Sequence, residues 1–175
     1  MPSKDTFFLR KTVDTSGSNF QSGDIDISAF TNPAMGRVLV IDRAWITYMT
    51  NGNGPIQKAD IAGAGVAATR SVGIQVTSES KSVLVDTSDN SLIMHGSMYA
   101  TGDTADEIVM YEEVSSMNPM ETTNGFIVPT DKIQCGLDCQ TAWTLELSVG
   151  FCFEVHTEKL SLKRIQELLV TLTAN

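Results

Sequence analysis

Histidine, cysteine and positive charge are all scarce in this sequence, and each shortage closes off a class of chemistry. Only two histidines occur, His95 and His156. They lie far apart in the chain, whereas a metal-dependent sandwich enzyme needs several histidines and a carboxylate clustered on adjacent strands. The three cysteines are Cys135, Cys139 and Cys152. An odd number at irregular spacing is no disulfide framework, and the Cys135–Cys139 interval matches no common zinc motif. We read Cys135 and Cys139 as free thiols flanking a Gly-Leu-Asp turn, and Cys152 as a small packing residue in a strand. No run of about 18 apolar residues is present, so no transmembrane helix is expected. The opening Met-Pro-Ser-Lys-Asp has no apolar stretch to serve as a secretory signal. No Asn-x-Ser/Thr acceptor occurs. The expectation is synthesis and folding in the cytoplasm.

Twelve Lys and Arg stand against 21 Asp and Glu, for a formal net charge of -9. Non-specific nucleic-acid binding rests on cations that neutralise phosphates, so an acidic chain suits it poorly, and no sequence-specific nucleic-acid partner is expected. The charge is unevenly spread. Between Lys81 and Lys132 there is no Lys or Arg, while Asp86, Asp89, Asp103, Asp106, Glu107, Glu112, Glu113, Glu121 and Asp131 fall there. The ends lean basic, with Lys4, Arg10 and Lys11 near one and Lys159, Lys163 and Arg164 near the other. A solvated acidic face is the plain reading. The sharper one is a polarised molecule, with one end toward solvent and the other toward a membrane or nucleic acid. Asp103, Asp106 and Glu107 are weak calcium candidates, since loop carboxylates suit hard cations but no EF-hand spacing occurs.

Catalytic motifs are equally thin. There is no Gly-x-Ser-x-Gly elbow for a serine nucleophile. Paired carboxylates occur at Asp24/Asp26 and Glu112/Glu113, but acid–base catalysis needs two such groups across a cleft, and exposed strand carboxylates are the simpler reading. Gly63–Ala68 matches Gly-x-Gly-x-x-Ala, yet the motif needs a preceding hydrophobic strand and Gln57-Lys58-Ala59-Asp60 stands there instead. No catalytic residue, cofactor or metal is assigned. Trp45 and Trp143 lie on strand patterns, which favours core positions over an exposed carbohydrate platform.

What the sequence does contain is β-structure. From Trp143 to Val155 every second residue is apolar (Trp143, Leu145, Leu147, Val149, Phe151, Phe153, Val155). Side chains in a strand alternate between faces, so all of these fall on one face. Such a strand would be roughly 44 Å long and needs an equally long partner layer, most simply a second sheet. Arg37–Thr50 is the other long candidate, with Asp42-Arg43 marking a bulge or bend. Shorter strands are expected at Phe7–Val13, Asp24–Ile27, Ser71–Thr77, Ser82–Val85, Leu92–Tyr99, Glu107–Val114 and Gly125–Val128, separated by Gly, Ser, Thr, Asn and Asp. Ala59–Ala68 reads as a long loop or a short helix. The chain is thus one all-β domain, a two-sheet antiparallel sandwich. Residues 1–36 form an N-terminal arm and the first strands, 37–156 the sandwich, and 157–175 a helical tail.

In that tail Leu162, Ile165, Leu168, Leu169 and Leu172 follow helical spacing behind Ser161 as N-cap. About twelve residues are too few for a stable isolated helix, so it must dock on its own domain, on a neighbouring subunit or on lipid. Lys159, Leu162, Lys163, Arg164, Ile165, Leu168, Leu169 and Leu172 are the candidate subunit or membrane contacts. The methionines Met94, Met98, Met110, Met117 and Met120 read as core filler or as adaptable contact surface.

One sandwich, a polar N-terminal arm, Gly/Ser/Thr-rich loops and two very long strands together resemble the single jelly-roll major capsid proteins of tailless icosahedral viruses. Within these the chain looks most like the small upright jelly rolls of membrane-containing viruses. The resemblance covers roughly Arg37 to Val155, is one of fold, and carries over no functional residue. It implies a non-enzymatic subunit that self-assembles into a capsid shell. Copies of itself would be its partners, with a second capsid protein or an internal membrane reached through the tail, and the virion its location. A cellular β-sandwich that binds carbohydrate is the alternative, and an enzyme with a carboxylate site a more distant one.

Overall fold

The computed structural model describes residues 5–50, 52, 54–62, 68–102, 108–115 and 125–173, with only the backbone at 111–115 and 173. The described residues hold nine strands: β1 Phe7–Asp14, β2 Gln21–Asp26, β3 Arg37–Thr50, β4 Ala68–Thr77, β5 Leu92–Gly102, β6 Ile108–Ser115, β7 Phe126–Val128, β8 Lys132–Asp138 and β9 Leu147–Lys159. Two α-helices, α1 Lys58–Ala62 and α2 Leu162–Thr173, and a short 3₁₀ helix at Pro33–Met35 accompany them. Sheet I runs β1-β9-β3-β7 and sheet II runs β2-β8-β4-β5-β6, every neighbour antiparallel. With β6 set aside as an extra edge strand, the first strand pairs with the last, the second with the second-last and the third with the third-last, and the middle two form a hairpin. That nested pairing is a jelly roll.

The long apolar run forms β9, but four residues later than its periodicity predicts. Leu147, Val149, Phe151, Phe153 and Val155 are buried between the sheets. Trp143 and Leu145 precede the strand, Trp143 buried and Leu145 exposed. The reason is the partner strand. β3 pairs from Arg37 opposite Lys159 to Thr50 opposite Leu147 and ends there, so residues before Leu147 have no β3 ladder to join. The Thr144 N–H instead donates to the Asp60 carbonyl of α1 at 2.9 Å.

The bulge expected at Asp42-Arg43 is present, with the register shifting between Ile41 and Arg43. It inverts the phase of β3. Leu39 and Ile41 face the core before it, and Ala44, Ile46 and Tyr48 after it. Trp45 is therefore turned outward, which corrects its expected core position. Asp42, the extra residue, accepts a hydrogen bond from Nδ1 of the buried His156 at 2.6 Å.

Two further expectations are corrected. Cys135 and Cys139 do not flank a turn, because Lys132–Asp138 is strand β8, with Ile133, Cys135 and Leu137 buried in the core. Gly136 serves this strand as a gap: a Cβ there would sit 2.7 Å from the Phe20 ring that covers it. Ser82–Val85 is no strand. It crosses the outer face of sheet II, where the Gln75 side chain takes the place of a ladder, donating to the Val83 carbonyl at 3.0 Å and accepting from the Val85 N–H at 2.8 Å. Met94 and Met98 are core residues. Met117 and Met120 lie outside the described residues, as does Gly63–Ala67 of the glycine motif.

The tail docks on its own domain. The Ser161 hydroxyl accepts from the Arg164 N–H at 3.3 Å, as an N-cap should. Ile165 is 2% exposed and shares a pocket with Pro33 and Ala34, while Leu168 and Leu172 line a second small pocket with Phe126, Ile127 and Pro129 beside β7. Asn90 donates from its side chain to the Thr171 carbonyl at 2.8 Å.

Candidate interaction surface

Two sheets have four edge strands, and an edge is where unpaired backbone groups invite another chain. Three of these edges are blunted. On β2 the exposed positions are Ser22, Asp24 and Asp26, and Asp24 pairs with Lys132 at 3.9 Å. On β1 the Lys11 side chain turns in across Gly23 of β2, where a Cβ would collide with its Cε. Inward-pointing charge of this kind discourages strand addition. β7 is only three residues long, and Leu168 and Leu172 of α2 line a pocket beside it.

β6 is different. Ile108, Val109 and Met110 are 37%, 67% and 45% exposed in succession. Val109 lies opposite Thr101 on the outer face, while Ile108 and Met110 lie opposite Gly102 and Ala100 on the core side. Core-side residues stay exposed here because sheet II is five strands wide and the facing sheet ends in the short β7. Tyr99, exposed on the neighbouring strand, extends the apolar margin. Glu112 and Glu113 belong to the same strand.

A second exposed surface lies on the outer face of sheet I. Phe8 and Trp45 are 49% and 40% exposed, with ring centroids 6.1 Å apart. The Arg10 guanidinium stands 5.4 Å from the Phe8 ring centroid. Cys152 is paired with Arg10 on one side and Trp45 on the other, and Arg43 reaches Glu154 at 3.7 Å. Among the described residues Arg10 has no carboxylate partner.

A concavity of about 650 Å³ lies on the outer face of sheet II. Ser71, His95, Ser97, Tyr99, Asp138 and Gln140 contribute to its lining. The Leu84 side chain packs over Gly73 in its lining, and a Cβ on that residue would come within 2.6 Å of it. Cys139 also borders it, its thiol pushed up to about 11 by burial, with the Trp143 indole pulling the other way. Burial drives the Cys135 thiol higher still, with nearby Lys11 pulling it down and Asp24 adding to the rise. All three cysteines are free.

Of the residues singled out in the sequence, Asp103, Asp106 and Glu107 lie outside the described residues. Among the described residues no three His, Cys, Asp or Glu side chains are grouped as metal ligands, and no helix is long and apolar enough to cross a membrane. His95 and His156 fall on different sheets. Within the tail, Ile165, Leu168, Leu169 and Leu172 turn toward the domain, and Leu162, Lys163 and Arg164 face outward. Lys159 is exposed at the end of β9 and Arg164 pairs with Glu167 at 3.3 Å. Neither the β6 margin nor the Phe8–Trp45 pair was singled out in the sequence. The bulge at Asp42 is the signal that exposes Trp45, since one extra residue reverses which side chains face inward.

No protein-family model matches the sequence. No curated protein matches it either. Among solved structures the chain is similar to the unassembled VP1 pentamer of Merkel cell polyomavirus, at 7% identity over 92% of this chain and 98% of that one, with a TM-score of 0.44. It is also similar to a point-mutant VP1 pentamer of Washington University polyomavirus, at 8% identity over 91% and 96% of the two chains, with a TM-score of 0.45.

Proposed function

We propose that the chain is a structural subunit that associates with copies of itself into a protein shell of the viral-capsid type. Jelly rolls serve capsids, lectins and cupins alike, so the fold does not choose among these roles. The observation that supports the self-associating role is the β6 margin. Ile108, Val109 and Met110 form an exposed apolar edge on a domain whose other three edges are blunted. A soluble monomer gains nothing from such an edge and risks aggregation, whereas a subunit that is buried among its copies needs one. The virion is the corresponding location, and no catalytic role is assigned. Lys159, Lys163 and Arg164 would present cations to a neighbouring subunit, a second capsid protein or an acidic lipid surface. Sedimentation velocity and negative-stain microscopy of the purified chain across concentration and salt test this reading. Discrete oligomers or regular particles are expected, and a strict monomer at the highest soluble concentration would overturn it.

A second reading has its own observation. The exposed Phe8–Trp45 pair and the polar groove beside Tyr99 are surfaces on which a carbohydrate could stack and hydrogen-bond. Under that reading a monomeric chain retains glycan binding that Trp45→Ala abolishes.

A further inference from the structure

We infer that the outer face of sheet I is a binding platform for single-stranded nucleic acid. Such binding requires no contact between copies of the chain. Strand register sets out the surface. Phe8, Arg10 and Thr12 of β1 stand opposite Glu154, Cys152 and Gly150 of β9, which stand in turn opposite Arg43, Trp45 and Thr47 of β3. Side chains alternate between faces along a strand, so these positions share the face turned away from the core. They form a grid with Phe8 and Arg10 along one margin, Arg43 and Trp45 along the other, and Cys152 between Arg10 and Trp45.

Each kind of residue answers one part of a nucleotide. Phe8 and Trp45 are both exposed, with ring centroids 6.1 Å apart. Exposed rings on a sheet are surfaces on which unpaired bases stack whatever their sequence. Bases in a duplex are already stacked on one another, so the rings select a single strand. Arg10 and Arg43 supply the charge. The Arg10 guanidinium stands beside the Phe8 ring and has no carboxylate partner among the described residues. Arg43 is mostly exposed and is held only loosely by Glu154, at 3.7 Å. A guanidinium only donates hydrogen bonds and a phosphate oxygen only accepts them, so the two match directly. A neutral saccharide would use the rings but leave the cations without a counter-charge. The net charge of -9 does not cancel this attraction, because exposed charges more than about 8 Å away are largely screened at physiological ionic strength. Of the carboxylates that flank the grid, Asp14 is turned to the Ser148 hydroxyl and Asp42 to His156.

Binding of a fluorescein-labelled oligothymidylate of about 15 nucleotides to the full-length chain at low salt tests this. Affinity should exceed that for a duplex of the same length by at least about tenfold. Trp45→Ala and Phe8→Ala should each weaken it about 5- to 150-fold, the range for loss of one stacked base. With two phosphates neutralised, the logarithm of the binding constant should fall with the logarithm of salt at a slope of about -1.4, and of about -0.7 in Arg10→Gln. Glu154→Gln, which removes the carboxylate from the grid, should tighten binding. In the unaltered chain, saturating oligothymidylate should slow the reaction of Cys152, the least buried of the three cysteines, with a thiol reagent. Equal affinity for duplex, a salt slope unchanged in Arg10→Gln, or unchanged Cys152 reactivity would overturn the platform. So would binding of cellohexaose, lost in Trp45→Ala, without binding of the oligothymidylate, an outcome that favours the carbohydrate reading instead. None of these outcomes bears on the sedimentation test of self-association.

Discussion

Replacing Ile165 with alanine should release helix α2 from the sandwich without unfolding the sheets. Ile165 is 2% exposed and, among the described residues of this 12-residue helix, is the one fully buried side chain. A buried isoleucine contributes about 1.5–3 kcal/mol, and the half-buried Leu168, Leu169 and Leu172 about 1 kcal/mol each. The docked helix is therefore held by roughly 5 kcal/mol of burial, against which stands the cost of ordering a segment too short to be helical alone. Ile→Ala at a surface-proximal site, where neighbours can relax, should remove about 2–3 kcal/mol, near the low end for such substitutions. That corresponds to about a 30- to 150-fold rise in the opening equilibrium of the helix. Amide hydrogen exchange reads this directly. Protection should fall by that factor across residues 162–173 and stay unchanged in β9, because Ile165 lies outside the core cluster that holds Phe151 and Phe153. Unchanged protection in α2 would show that Ile165 is not the anchor. An equal fall in α2 and β9 would show that the tail and the sheets open as one unit, against the separation argued here.

The Lys81–Asp89 ion pair, at 2.8 Å, should give stability a two-sided pH dependence. A hydrogen bond to Asp89 raises the Lys81 ammonium above its ordinary value of 10.5. Desolvation raises Asp89, but hydrogen bonds from Lys81 and Ser91 outweigh it and hold the carboxyl below 3.8. The Asp89 contribution is present above 3.8 and lost as pH falls through the lower folded value; that of Lys81 is present below 10.5 and lost as pH rises through the higher one. Urea midpoints of the unaltered chain and Asp89→Asn should differ near neutrality and converge toward acid; a difference that persists at pH 2 would refute the assignment. Separately, Gly36→Ala should lower stability by more than about 1 kcal/mol. Its φ is 84° and a Cβ would lie 2.5 Å from the Leu160 carbonyl, so a thermal midpoint unchanged by the substitution would contradict the geometry.

Strand β9 was legible because a single face buried along its whole length imposes strict alternation from Leu147 to Val155. Its ends were not, since they are set by the reach of β3, a strand remote in sequence. The bulge at Asp42 was legible as an interruption, yet its consequence for Trp45 appears only once the residues on either side of it are seen to face inward in opposite phase. β8 was hidden by Gly136, which resembles turn chemistry and instead makes room for Phe20. Ser82–Val85 has strand composition, but its backbone partner is the Gln75 amide, a side chain that no periodicity reveals. The β6 margin was least legible of all. Ile108 and Met110 look like core residues in any local pattern, and they are exposed only because sheet II is wider than the sheet facing it.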